Sequence, residues 1–165
     1  MLAHFDLKNV RIKAATPRDT AKLLKFIRAY YRFDRIPFDR KTLTSGLSRL
    51  LKDQSCGRAW FILSGRQTVG YLLLTFGFDL EFGGRQATVT DFYIDGRYRR
   101  KGFGCKALMQ VEKFCSACGV ETIELQVTRK NARALAFYKQ LGFEAHDRIP
   151  MSKRIPRALG LKDTE

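Results

Sequence analysis

The chain reads as a single α/β domain, and three observations carry that reading. Its 165 residues are enough for one sizeable core, and 45% hydrophobic with 28% charged residues is a globular composition. Short β-type runs alternate with segments whose apolar residues recur at helical spacing. One strand-like run, Thr88–Ile94, empties through Asp95-Gly96 and a basic, glycine-containing stretch into a helical pattern; Thr88–Leu108 reads TVTDFYIDGRYRRKGFGCKAL.

Val10–Ala14 alternates and predicts a first strand. Thr16-Pro17-Arg18-Asp19 is a helix start, with Thr16 as N-cap, Pro17 at the first helical position and an early acid. Ala21, Leu23, Leu24, Ile27 and Tyr31 then recur at helical spacing and predict a helix to about Tyr31. The stretch YYRFDRIPFD is aromatic-rich and broken by Pro37, so it reads as a connection serving as a hydrophobic plug, a pocket wall, or both. A second helix, about Lys41–Lys52, carries Leu43, Leu47, Leu50 and Leu51 on its apolar side.

Two hairpin strands follow, Ala59–Ser64 and Thr68–Phe78, around a Gly65-centred turn. Val69–Leu74 is nearly continuously apolar, as for a central strand covered on both faces. Glu81–Arg85 turns the chain into Gln86–Ile94. The helix after Gly104 aligns Leu108, Val111, Cys115 and Cys118 and ends at Gly119. Thr122–Val127 is a fifth strand. Asn131 N-caps a helix to about Leu141, stopped by Gly142, and Phe143 to about Lys153 is expected to form a last strand. The core is expected over about residues 8–153, with a loosely held tail over 154–165 and no second domain.

The net charge of +15 predicts a surface that attracts polyanions. The cations are spread along the chain and no recognised nucleic-acid motif accompanies them, so nucleic acid stays open as a partner without being favoured. No run approaches the ~18 apolar residues of a membrane span, and no secretory signal opens the chain, so a cytoplasmic, membrane-free protein is expected. Cys115-Ser-Ala-Cys118 matches C-x-x-C but lies in a helical pattern without a second ligand pair; it reads as helix-face thiols, and no metal is expected. A homodimer is compatible with the sequence.

The chemistry concentrates at the strand–turn–helix. Arg97, Arg99, Arg100 and Lys101 precede Gly102-Phe103-Gly104, so backbone N–H groups and the positive end of a helix dipole converge on one spot. Such a concavity holds an anion, usually a phosphate, and glycine lets the anion approach the backbone.

Arg99-x-x-Gly102-x-Gly104 after the strand Asp91–Ile94, followed by Asn131 and, seven residues on, Tyr138 within LAFYKQLGF, resembles the acetyl-coenzyme A signature of the GNAT superfamily of N-acetyltransferases. The resemblance covers about residues 8–153. It implies a mixed, mostly antiparallel sheet of six to seven strands flanked by about four helices, with two central strands splayed to admit the cofactor. It implies that Arg99, Arg100, Lys101, Gly102, Phe103, Gly104 and Cys105 form the pyrophosphate turn. The backbone of Phe92, Tyr93 and Ile94 would pair with the pantetheine arm like an added strand. A backbone N–H near Phe92 would serve the oxyanion, and Asn131 and Phe137 would lie against the cofactor. The implied reaction is attack of a primary amine of a small molecule or peptide on the thioester in a ternary complex, without a metal. Tyr138 matches the tyrosine that serves the thiolate, although a tyrosine on an apolar helix face also reads as core, and Asn131 also reads as an N-cap.

Asp91 is the nearest carboxylate to stand in for a strand glutamate as general base; it reads equally as a carboxylate that orders the strand or pairs with an arginine. The acceptor pocket is expected to involve Tyr30, Tyr31, Phe33, Asp34, Phe38 and Phe78, with Asp79 and Glu81 nearby, a set suited to a cationic amine through ring faces and carboxylates. The alternative is a basic protein associated with nucleic acid or ribonucleoprotein that uses the same fold to acetylate a protein partner or does no catalysis.

Overall fold

A computed structural model describes residues 10–155 and divides the chain into two compact units, residues 1–128 and 129–165. The first unit holds five strands, β1 (Val10–Ala14), β2 (Gly57–Ser64), β3 (Gln67–Asp79), β4 (Gly84–Ile94) and β5 (Val120–Leu125). They form one sheet in sequence order; β1 to β4 are antiparallel neighbours, and β5 joins β4 in parallel. Three helices belong to this unit: α1 (Thr20–Asp34), α2 (Arg40–Lys52) and α3 (Phe103–Ala117).

The helices cover opposite faces of the sheet. Leu23, Leu24 and Ile27 of α1 and Leu47 and Leu51 of α2 pack on Ala59, Phe61 and Tyr71. Phe103 and Ala107 of α3 pack on Val10, Ile62, Val69 and Ile94, and Phe114 meets Trp60 edge-on with ring centroids 5.0 Å apart. The apolar run in β3 is thus explained, since alternate residues serve α1 and α3.

Local chemistry sets the helix ends. Asp19 accepts from the Thr16 N–H (2.9 Å) and hydroxyl (2.8 Å), fixing the entry to α1. Asp39 accepts from the N–H groups of Lys41 (3.0 Å) and Thr42 (3.4 Å), capping α2. The helix α1 runs three residues past the expected end at Tyr31. Arg35 supplies a left-handed cap (φ 58°), a role usually signalled by glycine or asparagine, so no residue type marks the stop there. Phe33 and Asp34 therefore stand on the last turn of a helix rather than in a connection.

The sheet also departs from expectation. Among the described residues it has five strands rather than six to seven, and residues 143–155 form none. Pro150 has no N–H to give a ladder, His146-Asp147-Arg148 breaks any alternation, and nearly all of the segment is exposed. β5 is accordingly an edge strand rather than a central one. Positions 8 and 9 of the expected core, and the tail beyond Ile155, lie outside the described residues.

Two irregularities shape the rest of the unit. The pairing of β3 with β4 steps from Leu73↔Asp91 to Leu74↔Val89, which leaves Thr90 as a bulge. At the opposite edge, the Gln110 side chain of α3 closes over β1: its amide oxygen accepts from Ile12 N–H (3.2 Å) and its amide nitrogen donates to Val10 O (3.1 Å). The edge strand thereby has polar partners on its outer side.

The second unit holds α4 (Ala132–Gln140). Asn131 Oδ1 caps it by accepting from Ala134 N–H (3.1 Å), and Gly142 (φ 88°) follows its end. Tyr138 packs between Phe137 (5.1 Å) and Phe143 (5.6 Å).

Candidate active site

Two features of the first unit meet at the end of β4. The first is the turn into α3. Asp95 Oδ1 accepts from Arg97 N–H (3.0 Å) and pairs with its guanidinium (3.1 Å), and Arg100 and Gly102 both take left-handed backbone conformations (φ 58° and 79°). The α3 ladder begins with Lys106 N–H to Gly102 O (3.1 Å), so the Gly104 and Cys105 N–H groups stand outside it at the helix's positive end.

The side chains expected to surround an anion are partly committed elsewhere. Lys101 Nζ donates to Arg97 O (2.6 Å) and Arg99 Nε to Ile94 O (2.7 Å), whereas Arg100 is exposed. Phe103 is 1% exposed and packs against Tyr98, so only its backbone faces the turn; the Ile94 side chain is buried likewise. Cys105 Sγ lies 4.0 Å from Met109 Sδ.

β4 and β5 pair only from Arg85↔Val120 to Val89↔Leu125. Thr90–Ile94 therefore has β3 on one side and no strand on the other, among the described residues. Asp95 N–H donates to Val69 O (2.8 Å), so by antiparallel alternation the backbone groups of Phe92 and Ile94 face away from β3.

The second feature is a carboxylate set among rings. Because of the Thr90 bulge, Asp91 and Tyr93 share a face with Leu73 and Tyr71, beneath α1, while Val89 and Ala87 face α3. Tyr71 is 0% exposed, and its hydroxyl donates to Asp91 Oδ2 at 2.7 Å. Tyr71, Tyr30 and Tyr93 form a ring cluster with centroids 6.1 to 6.5 Å apart, and Phe26 and Tyr31 adjoin it. Burial holds the Asp91 carboxyl above the usual carboxylate range, opposed by the Tyr71 hydrogen bond. Burial also raises the phenols of Tyr71 and Tyr31, with the Asp91 charge adding to both, so they stay neutral donors.

Tyr71 is absent from the residues the sequence nominated. It lay in an apolar run and read as core; only the bulge, invisible in the sequence, brings Asp91 to its face of the sheet.

The nominated acceptor residues divide. Tyr30 and Tyr31 belong to the ring cluster, and Phe38 meets Tyr31 edge-on at 6.4 Å. Phe33 is 59% exposed but lies 4.0 Å beneath the Arg99 guanidinium, and Asp34 is exposed at the end of α1. Phe78 does not join them. It pairs with Arg85, whose guanidinium reaches Cys118 O (3.5 Å) at the end of α3, so it sits on the α3 face and is 69% exposed. Glu81 lies beyond it in the β3–β4 turn. In the second unit, Asn131 spends its side-chain oxygen on the α4 cap, Phe137 stacks on Tyr138, and burial pushes the Tyr138 phenol up to about 12.

A family model described as "Acetyltransferase (GNAT) family" matches residues 23–143. The chain belongs to this family. The uncharacterised N-acetyltransferase YycN of Bacillus subtilis (strain 168) is 31% identical over 71 residues, 43% of this chain and 45% of that protein. The thialysine N-epsilon-acetyltransferase of Bos taurus is 33% identical over 78 residues, 47% and 45% of the two chains. The matched region thus spans somewhat under half the length of these curated relatives. Among solved structures, an integron cassette protein from the mobile metagenome of Cole Harbour Salt Marsh superposes with a TM-score of 0.77 at 26% identity, covering 89% of this chain and 91% of that one. An aminoglycoside acetyltransferase from an uncultured soil metagenomic sample superposes at 0.72 with 19% identity over 92% and 99% of the chains, a likeness of fold.

Members of the GNAT family generally use acetyl-coenzyme A, and the first unit offers groups that fit it. The Gly104 and Cys105 N–H groups at a helix N-terminus, beside the left-handed Arg100 and Gly102, suit a pyrophosphate. The stretch Thr90–Ile94, without a strand on its outer side, suits an extended amide-bearing arm. No group of three or more His, Cys, Asp or Glu side chains among the described residues is arranged to hold a metal.

Proposed function

We propose that the protein transfers the acetyl group of acetyl-coenzyme A to a primary amine of a small molecule or peptide by direct attack in a ternary complex. The observation that carries this reading is the pairing of a half-buried carboxylate, Asp91, with the Tyr71 hydroxyl, beside a strand segment and helix turn suited to the donor.

A primary ammonium has a pKa of ~10.4 and must lose a proton before it attacks. Asp91 is the proposed base. Its burial moves its carboxyl upward from the ordinary range, toward the working pH where a base is most effective. The Tyr71 hydrogen bond keeps the carboxylate oriented and ionisable within an aromatic enclosure. The thioester supplies the acyl group: an amide C–N bond forms, the C–S bond breaks and the thiolate leaves in need of a proton. Tyr138, whose phenol burial pushes up to about 12 and so keeps protonated, is the proposed source of that proton. The backbone N–H near Phe92 is the proposed donor to the developing oxyanion, and the turn Arg99–Cys105 the proposed seat of the pyrophosphate. The outward-facing backbone of Ile94 shares the donor arm with that of Phe92, whereas the Tyr93 backbone, expected to join them, is turned toward β3; Asn131 and Phe137 are the donor contacts proposed for the second unit.

Calorimetric titration with acetyl-coenzyme A at low and high salt, with ATP and short duplex DNA as controls, tests the reading. Stoichiometric binding that survives salt and exceeds ATP is expected. Acetyl-coenzyme A binding no better than ATP, beside tight salt-sensitive DNA binding, would overturn it.

A further inference from the structure

From sequence, the rings near Asp91 suit a cationic acceptor. The structure gives several of their faces to the protein's own arginines. The Arg99 guanidinium lies 4.0 Å from the Phe33 ring centroid and 5.2 Å from that of Tyr93, and Arg28 lies 5.5 Å from that of Phe38. Among the described residues neither arginine has a carboxylate within ion-pair distance, although the Asp95 charge acts on Arg99. A guanidinium stacked on a ring still directs N–H groups outward in its plane, the geometry that carboxylates and phosphates accept in pairs.

The surroundings have the same sign. Along its outer face α1 exposes Lys22, Lys25, Arg28 and Arg32, and its only acid is Asp34 at the last position. Asp79 and Glu81, the other acids expected near the acceptor, stand at the far end of β3 with Phe78. The site therefore offers one half-buried carboxylate, with Arg99 on the rings beside it and further cations along the exposed face of α1. Asp91 and Tyr93 are two residues apart on one face of β4, about 7 Å along the strand, and Arg99 lies on the Tyr93 ring.

We propose, resting on the reading that Asp91 receives the amine, that the acceptor carries an anionic group within roughly 10 Å of that amine, held by Arg99 on its aromatic support, with the exposed cations of α1 adding long-range attraction. The substrate class is an amine bearing a carboxylate or phosphate: an amino acid, an acidic peptide or a phosphorylated amine. Polyamines and lysine-rich peptides meet like charge at the rim and are poor acceptors.

The test is acetyl transfer from acetyl-coenzyme A to matched short peptides whose free N-terminal alanine is followed by Asp and Glu, by Asn and Gln, or by Lys and Arg. Glutamate, phosphoethanolamine and spermidine are run beside them to separate carboxylate from phosphate. The acidic peptide is expected to exceed the basic one by roughly tenfold or more in kcat/KM at low salt, with the ratio shrinking as salt is raised. Arg99→Gln should collapse that ratio and Arg99→Lys partly restore it. Binding of the N-acetylated acidic peptide, read by calorimetry, should follow the same order without any turnover. Spermidine or the basic peptide as the best acceptor, or no charge preference in an active enzyme, overturns this inference alone. No transfer to any acceptor together with no acetyl-coenzyme A binding overturns the reading beneath it.

Discussion

Tyr71→Phe removes a single oxygen from the middle of the site. The ring keeps its contacts with Phe26, Tyr30 and Tyr93, so packing is nearly preserved, while Asp91 loses the donor at 2.7 Å. A hydrogen bond to a charged group is worth about 1.5–3 kcal/mol. At about 1.4 kcal/mol per pKa unit, its loss raises the Asp91 pKa by about one to two units. The sign follows from the two forces on the carboxyl: burial raises its pKa and the Tyr71 bond lowers it, so removing the bond leaves burial unopposed. A base works only when ionised. The acidic limb of the pH profile of kcat/KM should therefore move toward alkali by about one to two units. Activity below the limb should fall, and activity well above it should approach that of the parent. The assay is acetyl transfer across a pH series, with circular dichroism at each pH to show the fold intact. A limb that stays in place in a folded variant would refute the coupling of Tyr71 to the base.

Three further outcomes are expected. Asp91→Asn should abolish the acidic limb and cut kcat; because the folded carboxyl titrates above its unfolded value of 3.8, the native state binds the extra proton, and that contribution to stability is lost as pH rises through the folded pKa. Its melting temperature should thus gain on the parent at alkaline pH and not at pH 4, a comparison thermal melts can make. Tyr138→Phe should lower kcat at least about tenfold with acetyl-coenzyme A affinity nearly unchanged, whereas equal losses in both would make it a packing residue between Phe137 and Phe143. Gly70→Ala would drive a Cβ into the Tyr93 carbonyl and against Ile94, so a loss of about 1–3 kcal/mol in denaturant melts is expected, along with weaker donor binding. Unchanged stability would contradict the close β3–β4 approach.

The parts of the fold that were legible in the sequence are those written in local chemistry. Asn131 caps its helix through its own side chain, and the Gly65 turn closes the β2–β3 hairpin as its composition demands. The helix that follows the basic turn begins at Phe103, within two residues of its expected start. What stayed hidden depends on contacts remote in sequence or on backbone states without a residue signature. The left-handed Arg35 concealed the true end of α1, and with it the helical placing of Phe33 and Asp34. The expected final strand read as extended because nothing between Phe143 and Ile155 forbids extension except Pro150, and burial, which no local pattern reports, is absent there. The site was half visible for the same reason. Asp91 could be named from its neighbours along the chain, but Tyr71 becomes its partner only across a strand pair, and Phe78 is excluded only by the face on which it stands.

The bulge at Thr90 makes the place of a length change, rather than composition, the sensitive property of β4. Ahead of it Ala87 and Val89 face α3; beyond it the same odd-numbered positions, Asp91 and Tyr93, face α1 and the chemistry. Deleting Thr90 would restore perfect pleating with Val89 still opposite Leu74 and Asp91 still opposite Leu73, so both faces keep their residues. Deleting Phe92 instead would let regular pleating carry Asp91 to the opposite side of the sheet, away from Tyr71. In a library of variants, survival after loss of Thr90 and silence after loss of Phe92 would be the mark of a strand that counts.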